Sequence, residues 1–180
     1  MANHISGLIP HGGRVLDVGC GDGTIDMLIS RQRPDITVTG LDVLARPNAK
    51  IKVEKFDGLN LPYPDQSFDV VMLVDVLHHA MAPRALLGEA ARVGKELLIK
   101  DHYCDSPFAT ATLTFMDWVG NAHHGVALHY EYWSRPQWEE VLDELGLKAV
   151  VVQPALGLYP TPASWVFERG LHFLMKLERS

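Results

Sequence analysis

Residues 14–23 read Arg14-Val15-Leu16-Asp17-Val18-Gly19-Cys20-Gly21-Asp22-Gly23, a short apolar run ending in a turn with glycine at every second position. The run suits a buried strand. After it, Thr24 to Arg33 sets Ile25, Leu28 and Ile29 on one helical face, and Pro34 closes the segment. A strand joined to a helix by such a turn predicts the opening unit of an α/β sheet with parallel strands.

Further units follow. Ile36–Leu41, Ile51–Phe56, Phe68–Val74 and Glu96–Lys100 read as strands, and Pro83–Val93 as a helix with proline in its first turn. Phe68–Val74 is nearly continuous in apolar residues, as a strand covered on both faces should be. Ser106-Pro107 reads as a cap, with Phe108, Thr112, Phe115, Met116 and Val119 at helical spacing behind it. Asn121–Tyr132 has no clean period and reads as a loop. Ser134 and Gln137 fit a capping box for a helix bearing Trp138, Val141, Leu142 and Leu145, with Gly146 as its stop. Leu147–Val152 and Leu171–Leu177 are the last two strands, joined by an extended link rich in proline and aromatics.

At 180 residues the chain is expected to form one domain, 1–180, with regular strand–helix alternation over 14–100 and a less regular half over 101–180. Hydrophobic residues make up 47% and charged residues 21%, enough for a real core. No apolar run reaches membrane-spanning length and no signal peptide is evident, so neither a membrane nor export is expected and the cytoplasm is the default. The net charge of −6 and the scattered basic residues argue against a nucleic-acid partner. Cys20 and Cys104 are too few for a disulfide framework.

Parallel α/β sheets bind ligands at the carboxyl ends of their strands, and here those ends carry suggestive residues. Gly19, Cys20, Gly21 and Gly23 permit close approach by a ligand. The helix start suits a carboxylate, and Asp17 suits an ammonium group. A dinucleotide fingerprint reads G-x-G-x-x-G, whereas the third glycine here comes one residue early, at Gly23. That spacing favours an adenosyl amino acid over a nicotinamide cofactor. Asp42, followed by Val43, is placed for ribose hydroxyls, and Asp57-Gly58 for an adenine edge. Val74-Asp75 leads into Val76-Leu77-His78-His79.

Taken together, these segments resemble the class I S-adenosylmethionine-dependent methyltransferases, especially the small "type 11" group. The resemblance rests on 15–23, Gly40-Leu41-Asp42, Phe56 to Asp65, Ser67 to Val71 and Val76 to His79. It implies a doubly wound, mostly parallel, seven-stranded α/β sheet whose last strand is antiparallel. It also implies S-adenosyl-L-methionine as cofactor, with the turn at Gly19 and Gly21 on the methionine part, Asp42 on the ribose and Asp57 on the adenine. The backbone near Val74, with Asp75 and His79 after it, would meet the methionine end. Two departures stand out. Too few residues separate Asp42 from the third strand for the usual helix, and the chain starts almost at its first strand, without N-terminal lid helices.

The acceptor, expected to be a small molecule, must then be enclosed by the stretch after Lys100 or by a second subunit in a homodimer. Candidate bases are Asp75, His78, His79, Asp101, His102, His123 and His124, with Asp101 and His102 preferred because they end a central strand. The loop aromatics Tyr130, Tyr132 and Trp133 are pocket candidates, while Phe115, Trp118 and Trp138 fit core packing at least as well. The nine histidines show no metal-ligand spacing such as H-E-x-x-H, so no metal is expected. Two alternatives keep the sheet: a cofactor-binding subunit without catalysis, and a nicotinamide-dependent oxidoreductase.

Overall fold

The computed structural model describes residues 1–44, 46–121 and 130–180, with backbone alone at 120 and 121. Its strands are β1 (Arg14–Val18), β2 (Thr37–Asp42), β3 (Val53–Lys55), β4 (Phe68–Val74), β5 (Gly94–His102), β6 (Leu147–Gln153) and β7 (His172–Arg179). They form one sheet in the order β3-β2-β1-β4-β5-β7-β6. All neighbours pair in parallel up to β5, and β7 runs antiparallel to both β5 and β6. The helices are α1 (Ala2–Ser6), α2 (Thr24–Gln32), α3 (Pro83–Val93), α4 (Pro107–Asn121), α5 (Arg135–Glu144) and α6 (Ser164–Phe167), with a single 3-10 turn at Leu77–His79.

Strand alternation divides the core in two, because successive side chains point to opposite faces. Leu16, Leu73, Ile99 and Phe173 pack on one face with Leu86 and Leu87 of α3 and Trp138 and Val141 of α5. Val15, Met72, Leu98 and Leu174 face the other way, against Ile5 of α1 and Ile29 of α2. Each such side chain is worth about 1.5–3 kcal/mol when fully buried. The Ser134–Gln137 capping box starts α5 as expected, and Gly146, at φ 62°, follows its end.

Several sequence expectations are corrected. The chain does not enter β1 bare: α1 lies before it, held by Ile5 in the core and by the His4 ring against Gln153 and the Leu156 carbonyl. β3 is only three residues long, because Ile51 leaves the sheet edge and fills the space above Gly23 and Gly40. β5 continues through His102, so Asp101 and His102 stand within the strand. The expected extended link contains α6. On α4 the buried positions are Ala109, Thr112 and Leu113, whereas Phe108, Phe115, Trp118 and Val119 are exposed. The apolar spacing misled there because two overlapping faces of that helix are apolar. Trp133, a pocket candidate, instead packs edge-on against Trp138 in the core.

One buried pair is unusual. Asp17 of β1 and Asp26 of α2 are both buried, and Asp17 Oδ1 and both Asp26 oxygens find no protein donor. Burial first, then the neighbouring Asp26 charge, raises Asp17 well above the carboxylate range, and burial pushes Asp26 up to about 6. Two acids so placed are compatible only if they share a proton. In the unfolded chain an aspartate ionises near 3.9. The folded protein therefore holds a proton that the unfolded chain releases, and stability falls as pH rises from about 4 through about 6. Asp26→Asn should remove the part of this penalty that Asp26 carries, leaving the burial of Asp17. Thermal unfolding should show the variant more stable than the wild type at pH 8, by on the order of 2 kcal/mol, with the two converging at pH 4. Equal differences at both pH values would refute the shared proton.

Candidate active site

The strand order reverses direction between β1 and β4, and a crevice opens at the carboxyl ends of the strands flanking such a switch. Three close approaches gather the loops there. A Cβ on Gly19 (φ 78°) would stand 2.4 Å from Val76 Cγ2, so only glycine lets the β1 turn meet the loop after β4. The Gly21 amide donates to Asp42 Oδ2 at 2.8 Å, tying that turn to the end of β2. A Cβ on Gly58 (φ 89°) would come within 3.2 Å of Val43, bringing the loop after β3 beside the one after β2. Among the described residues no helix intervenes between β2 and β3.

The turn itself is well bonded. The amides of Gly19 and Cys20 both donate to the Leu41 carbonyl, and Gly23 donates to Cys20. Asp42 also accepts from the Leu44 amide at 2.8 Å. Asp57 is exposed and accepts from the Leu59 and Asn60 amides, holding its own loop. The Asn60 side chain above all, then these amides, holds its carboxyl below the usual range. Burial first, then the neighbouring Asp17, pushes the Cys20 thiol up, which disfavours its thiolate.

Beside this rim, at the ends of β4 and β5 and the start of β7, lies a cavity of about 270 Å³ lined by Asp75, Lys100, His102, Asp117, Tyr159 and His172, among others. Asp75, directly after β4, has φ 57°, a conformation that L-residues rarely adopt and that clusters at functional sites. Its carboxylate pairs with the Lys100 ammonium, which is itself buried. Behind the cavity wall, Asp101 Oδ1 meets His78 Nδ1 at 2.7 Å and His102 Nδ1 at 3.1 Å. One carboxylate thus orients two imidazoles. Burial opposes charge on both members of the His78–Asp101 pair. Their mutual attraction prevails, with help from Asp117 on His78, pushing His78 up to about 10 and Asp101 well below the carboxylate range. The Trp138 indole donates to the His102 carbonyl and pins the end of β5.

Of the residues singled out in the sequence, Asp75, His79 and His102 line the cavity, while Asp101 is buried behind it against His102 and His78. His123 and His124 lie outside the described residues. The sequence reading missed His172, Tyr159 and Asp117. His172 donates Nε2–H to the Phe167 carbonyl at 2.9 Å, leaving a buried Nδ1 without a partner. Burial first, then the Lys100 charge, lowers His172 to about 3, so the ring is neutral. Nothing local marks these three. They come from α4 and from the far end of the chain, and only the insertion of β7 next to β5 brings His172 alongside His102.

Comparison with known proteins gives the family. The chain is 32% identical over 108 residues to 27-O-demethylrifamycin SV methyltransferase of Amycolatopsis mediterranei, a match covering 52% of this chain and 39% of that enzyme. This chain spans about two-fifths to one-half of the length of such curated relatives. The fold matches Burkholderia thailandensis 1,6-didemethyltoxoflavin-N1-methyltransferase, solved with S-adenosylhomocysteine, at a TM-score of 0.63 and 20% identity over 98% of this chain and 74% of that one. It also matches the [4+2]-cyclase SpnF at 0.67 and 16% identity, over 99% and 82% respectively. Such distant likenesses establish the sheet and not the reaction. The family is settled by a profile described as a methyltransferase domain, which matches residues 3–152, within which lie the glycine turn, Asp42, Asp57 and Asp75: the chain belongs to the methyltransferase domain family, of the class I fold.

Proposed function

We propose that this chain binds S-adenosyl-L-methionine across the ends of β1 to β4 and transfers its methyl group to a small-molecule acceptor in the cavity beside His102. The observation that carries this reading is the joining of the rim: Gly19 against Val76, Gly21 bonded to Asp42, and Gly58 against Val43. One extended ligand laid along that rim would meet Asp42 at its ribose, Asp57-Gly58 at its adenine and the Gly19 turn at its methionine end, near Val74. The S-adenosylhomocysteine bound by the Burkholderia neighbour supports the choice of ligand. When bound, the cofactor supplies an activated methyl group, so the protein's task is to position the acceptor and exclude water.

The residues of the cavity fit a protic acceptor. Asp101 accepts His102 Nδ1–H and so directs Nε2 as the lone pair, the arrangement of an oriented general base. Asp101 is thus a positioning residue, and His102 is the group that would take the acceptor's proton. Neutral His172 offers Nδ1 as a second acceptor of hydrogen bonds, and Lys100, paired with Asp75, balances negative charge that develops on the acceptor. The absence of the third dinucleotide glycine, together with the family, weighs against the nicotinamide alternative.

Incubation with methyl-labelled S-adenosylmethionine and a small-metabolite extract should yield S-adenosylhomocysteine and a labelled product. Binding without either would instead establish a non-catalytic cofactor-binding subunit. Asp42→Ala should weaken cofactor binding by about 1–3 kcal/mol, the cost of leaving polar groups unpaired, and isothermal titration would read it. Unchanged affinity would remove the ribose assignment. His102→Ala should lower kcat by at least about tenfold, equivalent to roughly 1.4 kcal/mol, while cofactor affinity holds. Equal losses in both, or in neither, would dismiss it as the base.

A further inference from the structure

His78 is held in an arrangement that methyl transfer does not require. Its ring is buried on the 3-10 turn after β4, and the turn is tied down by the Glu131 amide, which donates to the His78 carbonyl at 3.1 Å. Nδ1 is spent on Asp101, but the buried Nε2 makes no hydrogen bond. The atom facing it is Asp117 Oδ2 on α4, 3.5 Å away. That distance exceeds the about 2.7–3.2 Å of an N–H···O hydrogen bond. It matches the roughly 3.4 Å between two ligand atoms that share one tetrahedral ion at about 2.1 Å from each. The His79 ring lies 4.0 Å from that of His78, centre to centre, and ligand atoms of His78, His79 and Asp117 all fall within 4.8 Å of one another.

We propose that His78, His79 and Asp117 form a binding site for a divalent transition-metal ion of the zinc class, in the wall of the cavity that His79 and Asp117 line. Two imidazoles and one carboxylate are a ligand set suited to zinc. The ion takes the place of the proton on His78 Nε2, which is released to solvent, and three protein ligands leave a fourth coordination position. The supporting shell is already in place. Asp101 orients His78 as the carboxylate behind a metal-bound histidine does, and the Tyr132 hydroxyl donates to Asp117. Both His79 and Asp117 also line the cavity, so an ion they hold would stand in its wall. A second grouping, Asp75, His78 and His102, is within the same span, but there the Lys100 ammonium sits on Asp75 and opposes a cation.

The test uses the whole chain, freed of metal by a chelator and then titrated with Zn2+ against a chromogenic competitor, and separately with Co2+ followed by visible absorption. One equivalent should bind, and the Co2+ spectrum should be that of tetrahedral nitrogen and oxygen ligation without a thiolate band. His79→Ala and Asp117→Asn should each weaken binding by at least about tenfold, and Asp101→Asn by about 10–100-fold, as loss of an orienting partner does. Asp75→Asn should leave it unchanged. A thiolate band, no uptake of either ion, or loss with Asp75→Asn but not with Asp117→Asn would overturn the assignment. Should the variants fail to fold, the wild-type stoichiometry and spectrum still decide. The assay contains neither cofactor nor acceptor, so its outcome is independent of whether methyl transfer is the reaction.

Discussion

The hydrogen bond from the Gly21 amide to the Asp42 carboxylate closes the working edge of the sheet. It joins the loop after β1 to the end of β2 across a pair of parallel strands whose register sets Val18 opposite Leu41. Positive φ at Gly19, Gly21 and Gly23 makes the bond reachable, and the lack of a side chain lets Val76 and Ile51 close in from either side. A β-carbon at Gly19 would force out the loop that carries Asp75, His78 and His79. The rim after β1 and the loop after β4 are therefore coupled by contact of the Gly19 backbone with the Val76 side chain.

The cavity beside the rim obeys a different constraint, that of burying charge. Lys100, Asp101, His78 and His102 are all nearly inaccessible, and each is paired or hydrogen-bonded. Removing such groups from water costs several kcal/mol apiece unless partners replace the water. Asp101 meets that demand for two histidines at once, and a αL conformation at Asp75 brings its carboxylate to Lys100. A core built for stability alone would place apolar side chains here. The polar cluster persists where three strand ends leave a cavity, as expected of groups that act on something entering it.

The two proposed activities share this ground without depending on each other. The proposed ion site draws on the turn after β4 and on α4, whereas the proposed base lies on β5 and His172 on β7. Asp101 stands between them, with His78 on one side and His102 on the other. A change in the charge on His78, by a proton or by an ion, is thereby felt at His102 through one carboxylate.

The chain's periodicity determined the sheet. Phe68–Val74 and Pro83–Val93 occur as read, because a buried strand and an amphipathic helix are local patterns with local stops. The glycine turn and Asp42 were equally legible, since positive φ and strand-end acids leave marks within a few residues. The face that α4 buries was not, because its apolar residues ring the helix and only the neighbours choose among them. Nor were the places of Asp117 and His172 in the cavity wall, the burial of Asp101 behind His102, or the grouping of His78 and His79 with an aspartate far along the chain. Ligand spacing in a sequence reveals only sites built from one segment. Here the groups meet because β7 inserts beside β5 and α4 returns over the rim, and long-range packing of that kind leaves no period to read.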